Sequence, residues 1–115
     1  MLNTELKHLE SLDQIEELLQ NNPNVMICCG RMGRMCIPVF GVMAKLQPDY
    51  PHVQFRDLDF DSEPASFIKN LPECAGFMGL PFTVYFKNGT PVKATSSIQS
   101  AQRIKNILDD VFKDL

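Results

Sequence analysis

The stretch PFTVYFKNGTPVKAT, residues 81 to 95, constrains the fold more than any other part of the chain. Two runs rich in β-branched and aromatic residues flank Asn88 and Gly89, a dipeptide that accepts the positive φ angles of a tight hairpin turn. The pattern predicts two antiparallel strands as neighbours. Upstream, VMICC between Pro23 and Gly30 is a continuous apolar and thiol run, which predicts a central strand covered on both faces. VQFRDLDF, residues 53 to 60, predicts another strand.

Helical spacing fills the intervals. Ser11 and Gln14 have the S-x-x-Q capping spacing, and Leu12, Ile15, Leu18 and Leu19 follow as a helical stripe that Asn21, Asn22 and Pro23 stop. From Pro38, the residues Val39, Phe40, Met43, Ala44 and Leu46 trace a second helix, ended by Pro48 and Pro51. Asp61, Ser62 and Pro64 start a third over SFIKNL. Ile104, Ile107, Leu108 and Val111 mark a last helix capped by Ser97 or Ser100. The order α, β, α, β, α, β, β, α, with room for a short strand before Ser11, predicts an α/β fold. Its mixed sheet of four or five strands is flanked by helices on both faces.

Composition narrows the function classes. A chain of 115 residues with 44% hydrophobic residues suits one domain, 1–115. Its net charge of −3 provides no basic surface for a phosphate backbone, so nucleic acid is not an expected partner. The opening MLNTELKHLE is charged and lacks an apolar signal core, and no run approaches the length of a membrane helix. The expectation is a cytoplasmic protein without membrane contact. Four cysteines, three of them within CCGRMGRMC at residues 28 to 36, point to a local role and not to a disulfide scaffold.

That segment offers several chemistries. Cys36 falls in the first turns of the second helix, where the dipole and the nearby Arg31 and Arg34 favour a thiolate. Its other reading is a core cysteine beside Val39 and Phe40. Cys28 and Cys29 are strand neighbours and point to opposite faces. Met32, Met35, Cys29 and Cys36 form a soft-ligand set of the kind that selects Cu(I), but two arginines oppose a cation and no histidine is near in sequence. No metal and no cofactor is expected. Asp57, Asp59 and Asp61 have neither Gly at the sixth position nor Glu at the twelfth of a calcium loop, and read as the solvent side of a strand. His8 and His52 read as surface residues.

GLPFTVYFKNG, residues 79 to 89, resembles thioredoxin, in which a glycine, an aliphatic residue and a cis-proline precede a strand leading into a Lys-Asn-Gly hairpin. DFDSEP, residues 59 to 64, and the terminal helix extend the resemblance over nearly the whole element order. It implies a thioredoxin-like fold in which Pro81 is cis and stands against the loop at residues 29 to 36. There the sequence departs, because no two cysteines have the C-x-x-C spacing that lets one thiolate attack and the second resolve. Aligning Pro38 with the family's helix proline puts Gly30 and Gly33 at the cysteine positions. Aligning the family's Gly-Pro pair with Gly33 and Arg34 puts Met32 and Met35 there, and matching Cys36 to the resolving cysteine leaves Gly33 at the nucleophile. The family's tryptophan is missing, and Asn24 or Met26 stands near where its buried aspartate would lie.

Two functions follow from the resemblance. One is thiol-based redox chemistry on a protein partner through Cys36, Cys29 or both, a bridge between them needing Cα atoms within about 7 Å. Leu80, Pro81, Gly33 and Arg34 would then contact the thiol-containing partner. The other is a non-catalytic module whose cis-proline groove holds an extended peptide segment. Soft-metal handling is the weaker third reading. Cys28 is expected in the core, and Cys74 near the same end of the sheet or in a structural role.

Overall fold

The computed structural model describes residues 2–113. In chain order it contains β1 (Lys7–Leu9), α1 (Leu12–Asn21), β2 (Asn24–Gly30), α2 (Ile37–Leu46), β3 (Gln54–Asp59), α3 (Ser66–Lys69), β4 (Phe82–Lys87), β5 (Thr90–Ser96) and α4 (Ala101–Val111). The five strands form one mixed sheet in the order β1-β3-β2-β4-β5. β3 runs parallel to β1 and β2, whereas β4 is antiparallel to both β2 and β5.

Local chemistry explains most boundaries. Ser11 Oγ accepts the Gln14 backbone N–H at 3.1 Å, satisfying one orphan donor of α1, and the Gln14 side chain accepts from Glu10 N–H at 2.7 Å, which fixes the chain entering the helix. Ile15, Leu18 and Leu19 are buried, while Leu12 of the expected stripe is left exposed. At α4 the cap is Ser100, whose Oγ accepts from Arg103 N–H at 3.1 Å; Ser97 takes a positive φ of 68° instead. Asn88 (φ 52°) and Gly89 (φ 81°) make the hairpin turn. The third helix is shorter than SFIKNL. It stops at Lys69 because Leu71 precedes Pro72 and adopts an extended conformation, ψ 136°.

Two apolar layers sandwich the sheet. On one face α2 and α4 bring Val39, Phe40, Met43, Ile104 and Leu108 against Met26, Cys28, Phe55 and Tyr85. On the other, α1 and α3 bring Ile15, Leu18, Leu19 and Ile68 against Val25, Ile27, Cys29, Leu58 and Val84. β2 is buried along its whole length, which is why its sequence is apolar without alternation.

One expectation about polar residues is corrected here. Asp57 is 0% exposed, not on a solvent face; its carboxylate accepts from Thr4 Oγ1 and lies 2.7 Å from His8 Nδ1. Parallel pairing sets His8 directly opposite Asp57, so the sheet register supplies the partner that sequence distance concealed. His8 is on the surface as expected, and His52, half-buried, has Nε2 at 3.0 Å from the Phe112 carbonyl at the end of α4. Asp59 is half-buried and Asp61 is exposed.

Candidate functional site

Five connections meet at one end of the sheet. The chain leaves β1 after Leu9, β2 after Gly30 and β3 after Asp59, enters β4 at Phe82 and leaves β5 after Ser96, so the carboxyl ends of the three parallel strands lie together, the usual place for a site in such a sheet. Ser97 N–H closes this end by reaching the Gly79 and Pro81 carbonyls at 3.0 and 3.1 Å. The peptide bond between Leu80 and Pro81 is cis.

Cys36 lies under this mouth. A Cβ built on Gly30 would stand 2.7 Å from Cys36 Sγ and 3.1 Å from Pro81 Cβ, so the three residues converge on one point. Glycine is required there by close approach. The Cys36 Sγ accepts the Arg31 backbone N–H at 3.4 Å, and the residue is only 2% exposed. Arg31 in turn is clamped by Asp61 through two bonds of 2.8 Å, and its guanidinium stands 5.0 Å from the centre of the Phe60 ring. Lys69 Nζ lies 4.1 Å from the same ring centre. The loop turns on Gly33, whose carbonyl accepts from Cys36 N–H at 3.1 Å and Ile37 N–H at 2.9 Å.

The electrostatics run against the expected thiolate. Burial pushes the Cys36 thiol up, opposed by the Arg31 N–H bond and the Arg31 charge, and the upward effect wins. Arg34 is exposed and takes no part in this balance, so the helpful cation is Arg31 alone. Burial likewise raises Cys28 well above its ordinary value and Cys29 to about 12. It raises Cys74 as well. All four cysteines are free thiols.

The expected partnership of Cys29 with Cys36 is not formed. Cys36 packs in the layer beneath α2 and α4 together with Cys28, whereas Cys29 lies in the opposite layer with Cys74. Strand alternation forces this separation, since adjacent residues of β2 face opposite sides. It also scatters the soft-ligand set: Cys29 is across the sheet, and Met32 Sδ accepts the Asn3 backbone N–H at 3.4 Å. Leu80 bridges both apolar layers at the mouth. Met32 and Met35 of the loop, Ile37 at the start of α2, Met78 just before Gly79 and Ile98 just after β5 are exposed, with Met32 and Ile37 on the side of the loop that faces Asn3 and Thr4. Sequence reasoning missed the convergence at Gly30 and the clamp by Asp61; a glycine closing an otherwise apolar strand was the available signal.

The sequence matches no protein-family model, and no curated protein matches it. Solved structures do. Thioredoxin from Plasmodium falciparum is similar with a TM-score of 0.77 at 15% identity, over 92% of this chain and 99% of that one. Mitochondrial thioredoxin 3 from Saccharomyces cerevisiae, in its oxidized form, gives 0.76 at 21% identity over 92% and 95%. Thioredoxin from Trypanosoma brucei brucei gives 0.76 at 18% over 96% and 93%. The chain has the thioredoxin fold, with its sheet in five strands.

Proposed function

We propose that this chain is a divergent thioredoxin-like protein in which the surface around Leu80 and Pro81 holds an extended segment of a protein partner and dithiol chemistry is lost. One observation carries the reading: apolar side chains of the loop and of the segment before Pro81 are open, while all four thiols are buried, and that burial pushes each of them up from its ordinary value. A segment laid beside the start of β4 would bind main chain to main chain, with its side chains resting on the methionines, whose flexible thioethers adapt to varied partners. Gly33, with open space above it, and the exposed Arg34 would form the loop side of that surface. Four free thiols fit a reducing, cytoplasmic setting.

A second reading is favoured by the Arg31 N–H bond to Cys36 Sγ. Cys36 as thiolate would attack a partner disulfide, forming one mixed disulfide and releasing one partner thiolate; an outside thiol would then regenerate it, since Cys29 faces the other layer.

Fluorescein-labelled extended apolar peptides, with and without a disulfide-linked cysteine, separate the two by anisotropy. Docking predicts that Leu80→Asp abolishes binding and Cys36→Ser preserves it. Binding confined to the disulfide-bearing peptides, lost in Cys36→Ser and released by dithiothreitol, would establish the exchange reading. A wild-type protein that binds neither kind overturns both.

A further inference from the structure

The sulfur atoms of this chain are sorted by depth. Among the described residues, Met26 and Met43 are fully buried, while Met78 is 94%, Met35 43% and Met32 42% exposed. The three exposed ones all belong to the segments that frame the mouth: Met32 and Met35 lie in the loop that ends at Cys36, and Met78 directly precedes Gly79, Leu80 and Pro81. The cysteines show the reverse, with Cys36 and Cys74 no more than 3% exposed and Cys28 and Cys29 fully enclosed. An oxidant arriving from solvent therefore meets thioethers before thiols.

We propose that Met78, followed by Met35 and Met32, is an oxidation site that switches the rim of the candidate site from apolar to polar. This rests on the docking reading for its consequence, because the rim is the surface on which the partner segment would lie. In the step, the sulfur lone pair attacks one oxygen of a peroxide. The O–O bond breaks, the sulfur loses two electrons and keeps that oxygen as a sulfoxide, and the other oxygen of hydrogen peroxide takes up the proton and leaves as water. A thiol ordinarily competes for the oxidant as its thiolate. Here burial keeps the four thiols protonated as well as covered.

Met78 leads for a geometric reason. Its side chain is nearly as open as in an unfolded chain, whereas Met32 directs its sulfur toward the Asn3 N–H. A sulfoxide carries a strong dipole and is hydrated, so each conversion removes a flexible apolar contact from the rim. Methionine sulfoxide reductases reverse the change, so the rim can return to its apolar state.

The test treats the folded full chain with hydrogen peroxide and follows it by peptide mapping and by retention on a phenyl matrix. Sulfoxide should appear first at Met78, then at Met35 and Met32, and not at Met26 or Met43. All four cysteines should still alkylate once the protein is unfolded. The oxidised protein should lose retention and regain it after treatment with methionine sulfoxide reductase, and Met78→Leu should keep more of its retention than wild type. Cysteine sulfinic acid or a disulfide formed ahead of Met78 sulfoxide overturns the proposal, as does unchanged retention or a Met78→Leu variant that loses as much as wild type. None of these readouts uses a peptide, so failure of the docking reading would be seen separately, in the anisotropy experiment.

Discussion

The sulfur of Cys36 fills the space that a side chain on Gly30 would need, 2.7 Å from the position of the missing Cβ. Such a distance lies well inside van der Waals contact, and Pro81 Cβ at 3.1 Å and Cys36 Cβ at 3.2 Å crowd the same position. Gly30→Ala should therefore lower stability by about 1–3 kcal/mol, the usual range for overpacking a core. Adding Cys36→Ala removes the closest atom and should recover part of the loss. Urea midpoints of the two single variants and the double variant check this; strict additivity would contradict the contact.

Labelling of Cys36 should be slow near neutral pH. With Cys28, Cys29 and Cys74 replaced by serine or alanine, the pH profile of iodoacetamide alkylation in the folded state should have its midpoint above the ordinary value of about 8.5, because burial outweighs Arg31. Arg31→Gln should move the midpoint further up by removing the one favourable charge, and Arg34→Gln should leave it in place. A midpoint below the ordinary value would restore the reactive-thiolate reading.

His8 and Asp57 form a pair of unequal burial, 40% against 0% exposed for the side chains. Removing the imidazole in His8→Ala strands a carboxylate with Thr4 as its remaining partner. The expected loss is about 2 kcal/mol, less than the ~3–5 of a wholly buried pair because one partner is already wet. Asp57→Asn in the His8→Ala background removes the stranded charge and should reduce the deficit. A double-mutant cycle in urea without coupling would show that the pair is inert.

Stability should fall on the alkaline side. Each buried thiol has a folded pKa above its unfolded one, so its contribution is fully present below the unfolded value and is lost as pH rises toward the folded value. For Cys29 the window runs from about 8.5 to about 12, and Cys28, Cys36 and Cys74 shift the same way. Unfolding midpoints should drop across that range, and Cys29→Ala should flatten the slope whatever it does to the midpoint at neutral pH. Equal slopes for variant and wild type would mean that the thiol is not protected.

Much of the architecture was legible before any coordinates, for local reasons. A type I′ turn needs two residues that tolerate positive φ, and Asn88 and Gly89 announce it by identity alone. The Ser11 and Ser100 caps act over three residues, and the apolar stripes of α1 and α4 record which face is covered. The place of the mouth was implied by the resemblance of GLPFTVYFKNG to thioredoxin, and the loop after β2 shares one end with the segment before β4 because β4 runs antiparallel to β2.

The chemistry of the mouth was a tertiary matter. Sequence showed that Cys28 and Cys29 alternate, but which of them faces α2 depends on how β2 is placed between β3 and β4, and that placement put Cys28 with Cys36. Whether helix dipole or desolvation governs Cys36 depends on how far the sulfur is covered; Gly30, by lacking a Cβ, lets it sink to where covering wins. Buried Asp57 acquired its partner His8 from strand β1, 49 residues away, and Arg31 was claimed by Asp61 across 30. Periodicity, capping and turn chemistry act within a few residues and so are written in the chain itself, whereas burial and ion pairing are set by neighbours that only the folded sheet brings together.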